Sequence, residues 1–399
     1  MSLDDAVNPW RIVVLTVVGI ALVATVVGLF TLWPQAERED LLSEEFTRTY
    51  SLNHPQATGH VELIDGELCS SPATGTAFTE PPLRPAFEEK TGCRRALVRL
   101  DSGEDAGAYT QLVHWDVAGE PTLEVGDDIV LSQSTGPDGT RTYSFADYQR
   151  GPALAVWGAI IALAIAVFAA WHGLRSLVGL AYSLGVVFFF LLPALLEGSS
   201  PVAVTLTACA AIVLIAIPLV HGVNWKSAAA LCATLIALGL SAVIAWWGID
   251  SSHLQGFGNE DNLKLVLYLP AVSIVGVLFS GFVIGAVGGL NDVAIAQAST
   301  VTELAAANPE AGRVQLFLSS MKVGRDHIAS MVYTLVLSYT GAALPLLLLI
   351  SAAQRPAGQI LSSDIMATEL LRSGVGALAL TLAVPLTTLL AVLVVRPAR

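Results

Sequence analysis

Eight stretches without a single Asp, Glu, Lys or Arg dominate this chain: 12–33, 153–171, 177–196, 201–220, 227–249, 265–290, 328–350 and 375–395. A bilayer core of about 30 Å needs roughly 20 apolar residues at 1.5 Å of rise each, and the shortest of the eight holds 19. Inside lipid a spanning backbone must satisfy its own hydrogen bonds, so such runs fold as helices. The pattern predicts an α-helical polytopic membrane bundle of about eight spans. Trp33, Trp171, Trp246 and Trp247 fall at or near the ends of the runs, where interfacial aromatics sit. The first run is longer than a signal-peptide core and no small-x-small cleavage site follows it, so it reads as an uncleaved anchor.

Charge divides the chain. Residues 34–150 hold 21 Asp/Glu and 9 Lys/Arg, a balance of −12 out of −13 for the whole protein. Three parts follow: a cytoplasmic tail and first anchor (1–33), a polar domain (34–150), and a seven-helix membrane domain (151–399). Arg11, Arg175, Lys226, Arg313, Lys322, Arg325, Arg396 and Arg399 lie on one set of short faces, and only Lys264, Arg355 and Arg372 on the other. This excess predicts that both termini are cytoplasmic and that 34–150 is extracytoplasmic. The acidic balance argues against nucleic acid, which needs a basic footprint.

Within the polar domain the runs 59–64, 95–100, 110–115, 128–131 and 140–145 are strand-like and are separated by turn signals such as Pro137-Asp138-Gly139. They predict a small all-β barrel or sandwich. Cys69 and Cys93, the domain's two cysteines, are candidates for a disulfide, which would contribute about 3 kcal/mol in the chain-entropy model. Cys209 and Cys232 read as small apolar residues within spans. Asp101, Glu104 and Asp105 read as a solvated acidic turn, since calcium-loop spacing is absent. No metal or cofactor is expected.

The region 276–341 departs from plain membrane sequence. Gly281, Gly285 and Gly289 recur at four-residue spacing, which suits close helix packing in lipid. Next, Asp292, Ala296, Ser299 and Glu303 share one helical face. A third segment, with Arg325 and Asp326, leads into the seventh run, where Ser330 and Thr334 follow on the face of Asp326. Polar side chains inside spans normally face the bundle or a wet cavity. The expectation is an amphipathic segment at 291–327, cytoplasmic or membrane-embedded. Its carboxylates Asp292 and Glu303 would meet Arg325 and Asp326 around a small solute or ion.

These segments also carry a resemblance. Asn291-Asp292-Val293-Ala294, Thr302-Glu303-Leu304, Ser320-Met321-Lys322-Val323-Gly324-Arg325-Asp326, Thr334-Leu335 and Ser338-Tyr339-Thr340-Gly341 resemble the signature of the YibE/F family of bacterial membrane proteins. That family shows Met-Asp-Val-Ala, Gly-Met-Asn-x-Gly-Arg-Asp, Asn-Thr-Leu and Ala-Tyr-x-Gly runs. This chain departs at Asn291, Lys322 and Tyr333, and the last change removes a small amide. The resemblance runs from about Gly59 onward. It implies a plasma-membrane location and a shared helical bundle, and brings no activity with it.

The leading expectation is a permease or exporter-like protein in the lipid bilayer. The rival is an anchored accessory protein whose β-domain binds an extracytoplasmic partner. An intramembrane enzyme is the third reading. No G-x-S-x-G, H-E-x-x-H or P-loop supports it, so the chain leans away from enzymes.

Overall fold

The computed structural model describes residues 8–395 apart from 36–40, 44–45, 47–49, 51–53, 66–70, 72, 81–91, 116, 137–138, 259 and 354. These fall into two units, 1–42 with 164–399, and 43–163. The membrane-domain helices are α1 (Pro9–Thr31), α2 (Gly151–Val186), α3 (Pro201–His221), α4 (Trp225–Ser251), α5 (Glu260–Tyr268), α6 (Ile274–Ala307), α7 (Arg313–Ala342), α8 (Leu344–Ala352), α9 (Ala357–Leu361) and α10 (Asp364–Val395). α2 continues through a π-helical turn, Val187–Leu191, to Leu196, 46 residues in all.

Six of these helices are long and apolar enough to cross a membrane, and α7 with α8, bent by 68°, makes a seventh. The bend follows from Pro345 in the first turn of α8, which removes a donor and disfavours helical backbone before it. Two of the expected runs, 153–171 and 177–196, form one helical run interrupted at Ala170, whose φ of 47° lies in the left-handed region. Gly173 makes that break feasible, because a side chain there would collide with the Ile165 carbonyl. The expected segment 291–327 is not a separate element. α6 runs without a break from Ile274 to Ala307, and α7 begins at Arg313.

Helices α4, α6 and α10 form the centre of the membrane unit. They approach through alanines: Ala229, Ala233 and Ala237 of α4, Ala286, Ala294 and Ala298 of α6, and Ala379 and Ala383 of α10 are all at most 3 % exposed. Lipid gives no hydrophobic drive between helices, so such small-residue surfaces win contact energy through close approach. A buried Thr205–Ser280 hydroxyl pair at 2.7 Å joins α3 to α6. At the opposite end of α6, Asn8 caps α1 by accepting from the Trp10 N–H, and its amide donates to the carbonyls of Leu393 and Val394 at the end of α10. Arg11 donates to the Val394 carbonyl and lies over the Trp225 ring.

The other unit is a curled, all-antiparallel six-stranded sheet. Its strands are β1 (Gln56–Asp65), β2 (Ala77–Phe78), β3 (Arg94–Leu100), β4 (Tyr109–His114), β5 (Asp128–Thr135) and β6 (Arg141–Tyr148), in the order β2-β4-β3-β1-β5-β6. All five expected strands form, and β2 is added. Residues 74–76 bridge to Gln111 of β4 and to Thr142 of β6, drawing the two ends of the sheet together. Val61, Val98, Leu100, Ile129 and Leu131 fill the interior. Cys93 is disulfide-bonded, Cys69 lies outside the described residues, and Cys209 and Cys232 are free and buried.

The expected acidic turn is exposed at Asp101 and Glu104 and anchored at Asp105. Asp105 accepts from Arg141 at 2.7 Å and from the Tyr143 hydroxyl at 2.8 Å, and Glu104 also pairs with Arg141. Burial, then the Asp105 hydrogen bond, pushes the Tyr143 phenol up to about 12. An ordinary phenol titrates near 10, so the neutral hydroxyl stabilises the fold below about pH 10, and that contribution is lost as pH rises towards 12. In an ultraviolet titration of phenolate absorbance, Tyr143→Phe should remove the latest-titrating phenol. An unchanged late phase would show that Tyr143 is not its source.

Candidate functional site

On α6, the side turned into the bundle carries Val293, Ala294, Gln297, Ala298 and Val301, all at most 1 % exposed. Asp292 and Glu303 are exposed and Ser299 is half-buried. On α7 the buried row is Leu316, Ser320 and Gly324, and Arg325, Asp326, Ser330 and Thr334 are exposed. The expected stripes therefore exist as faces and look outward. Among the described residues no ion pair joins Arg325 to Asp292, Glu303 or Asp326. The cause is local. The small Ser320 and Gly324 set the contact face of α7, and one further residue rotates about 100° away from it.

The two motif segments meet instead through a residue the sequence reading passed over. Gln297 is fully buried, and its Nε2 donates to the Ser320 carbonyl at 3.0 Å and to Thr388 Oγ1 of α10 at 2.7 Å. Gly324 leaves room for it: an added Cβ would lie 2.6 Å from Val384 Cγ1 and 3.1 Å from both amide atoms of Gln297. An amide set among the alanines and valines that follow Asp292 was the available signal, since an unbonded amide is costly in such surroundings.

The glycine row is only partly a packing seam. Gly285 sits under the Tyr339 hydroxyl, and a Cβ on Gly289 would lie 3.3 Å from Leu380. Gly281 has nothing within 4 Å, because it lines a cavity of about 360 Å³ between α5, α6, α8 and the start of α10. Here α10 supplies what the stripes do not. Arg372 Nη1 donates to both carboxylate oxygens of Glu369, at 2.9 and 3.1 Å, and the two side chains are 29 % and 22 % exposed. The guanidinium lies 5.8 Å from the Phe282 ring centre, within reach of its negative face.

The cavity's lip is held by the loop before α5. Asp364, the first residue of α10, accepts from the backbone N–H groups of Gln255 and Gly258 at 3.1 and 3.2 Å. Asn262 donates to the Gly256 carbonyl at 2.7 Å. Gly256 has φ 75°, and a Cβ there would lie 2.8 Å from Leu278, so both backbone and space require glycine. A second cavity of about 540 Å³ lies at the start of α3, the end of α4 and the start of α6, beside Trp246, Asp250 and His253. Among the described residues there is no group of three or more His, Cys, Asp or Glu arranged to hold a metal ion.

The model of a family described as YibE/F-like protein matches residues 157–397. No curated protein matches, and no solved structure does.

Proposed function

The chain belongs to the YibE/F-like family, and we propose that it is a multi-pass permease of the plasma membrane, moving a small solute or ion through its helical domain. What supports this is the Glu369–Arg372 pair, placed two turns into a membrane-length helix and facing an open cavity. A charged pair is expensive at that depth and is typical of solute and ion paths. A 46-residue helical run would be about 69 Å long at 1.5 Å per residue, more than twice the bilayer core. Taken as two crossings about Ala170, with α7–α8 as one, it gives eight spans, cytoplasmic termini and an extracytoplasmic sheet. The cavity then opens at the extracytoplasmic end of α6.

Reconstitution into lipid vesicles with a panel of labelled solutes and ion-sensitive dyes tests this. Wild type should carry at least one of them. Glu369→Gln should slow that flux by about tenfold or more, the worth of a charge-assisted hydrogen bond. Equal rates in wild type, Glu369→Gln and protein-free vesicles for every solute would end the permease reading.

A further inference from the structure

We propose that the α5–α6–α10 cavity binds a small zwitterion of the amino-acid class, with its carboxylate on Arg372 and Thr368 and its ammonium on Glu260. This deepens the permease reading and rests on it for its physiological purpose.

The polar groups of the cavity divide into those already bonded and those that are not. Asp364 is engaged by two backbone N–H groups, and Glu369 holds Arg372 through a single nitrogen. The Nε and Nη2 donors of Arg372 make no hydrogen bond among the described residues, although the group carries five N–H donors in a fork suited to carboxylates. Glu260, in the first turn of α5, lines the same cavity and has no ion pair or hydrogen bond among the described residues.

Thr368 gives the independent pointer to a ligand. It is 7 % exposed, lines the cavity, and its Oγ1 is shielded without a partner, so it reaches a ligand by turning about χ1. The other threonines of α10 behave differently: Thr381, Thr387 and Thr388 each donate to the carbonyl four residues back, at 2.7–2.8 Å. A buried hydroxyl that forgoes this bond leaves a polar group unsatisfied.

The unspent groups are therefore guanidinium N–H donors, one hydroxyl and one carboxylate. A simple cation would meet the fixed charge of Arg372, and a simple anion would meet Glu260. A molecule carrying both charges satisfies each. The volume of about 360 Å³ is at the small end of ligand sites and suits a single amino acid or a short peptide.

The test uses full-length protein in lipid nanodiscs, read by thermal shift and calorimetry. The probes are the standard L-amino acids and, for any that binds, its amine-only and acid-only counterparts, as isoamylamine and 4-methylpentanoate are for leucine. At least one amino acid should bind, with both counterparts about tenfold weaker or worse. Glu260→Gln and Thr368→Val leave the Glu369–Arg372 pair intact. They should weaken that amino acid about tenfold and about threefold respectively. The proposal is overturned if no amino acid binds, if an amine or an acid binds as tightly, or if both variants match wild type. An amino acid that binds and is never carried into vesicles would sink the permease reading alone. Flux of a simple ion without amino-acid binding would sink this inference alone.

Discussion

Replacing Arg372 with alanine should abolish flux and lower the melting temperature in detergent, and the two losses should be separable. The guanidinium compensates Glu369, which is 22 % exposed within a membrane-length helix. Removing one partner of a fully buried pair costs about 3–5 kcal/mol because the other charge is stranded. With a fifth to a third of each side chain exposed, we expect about 2 kcal/mol. Adding Glu369→Gln to Arg372→Ala removes the stranded charge, so the double variant should melt close to wild type and still carry nothing. An Arg372→Ala protein that melts with wild type would show the pair to be structurally idle.

Gly324→Ala should destabilise the bundle through a single added methyl. The new Cβ meets Val384 Cγ1 at 2.6 Å and both amide atoms of Gln297 at 3.1 Å, at the crossing of α6, α7 and α10. Overpacking of this kind costs about 1–3 kcal/mol, against a gain of up to about 1 kcal/mol for alanine over glycine in a helix. The clash wins because two of the three atoms belong to an amide fixed by two hydrogen bonds. Gly288→Ala is the matched control, since nothing lies within 4 Å of it, and it should be neutral or stabilising. Val384→Ala, which removes the struck methyl, should restore much of the loss in the Gly324→Ala background. Thermal melts that leave Gly324→Ala and Gly288→Ala together would refute the packing account.

The helices were legible because membrane length is a one-dimensional property. Hydropathy marked the six membrane-length helices and the bent α7–α8 pair, two of its eight runs falling in the single run from Gly151 to Leu196, and alternation found five of the six strands. β2, Ala77–Phe78, is too short to show a period. The ends of the runs were less legible, and the site lay in an end. A rule that excludes charge begins the last run at Val375, whereas α10 begins at Asp364. The eleven residues in between contain Thr368, Glu369 and Arg372. Opposite charges three apart ahead of an apolar run were the available sign. The direction of the stripes on α6 and α7 was hidden for a different reason. A helical period states which residues share a face and leaves open which way the face turns. Here Gln297, Ser320 and Gly324 decide it by packing inward, and they carry Asp292, Arg325 and Asp326 outward with them.

The cap of α1 has a consequence for how the protein is made. Asn8 is bonded to Leu393, 385 residues later in the chain, and at 5–20 residues per second a ribosome needs roughly 20–80 s to supply that partner. Until then the first helix must wait in the bilayer beside α3 and α4 with its end unfastened. Closure of this contact is thus gated by insertion of α10, long after the first helix has entered the bilayer. A stalled or truncated chain would present the first helix's open end as a visible mark of incomplete assembly.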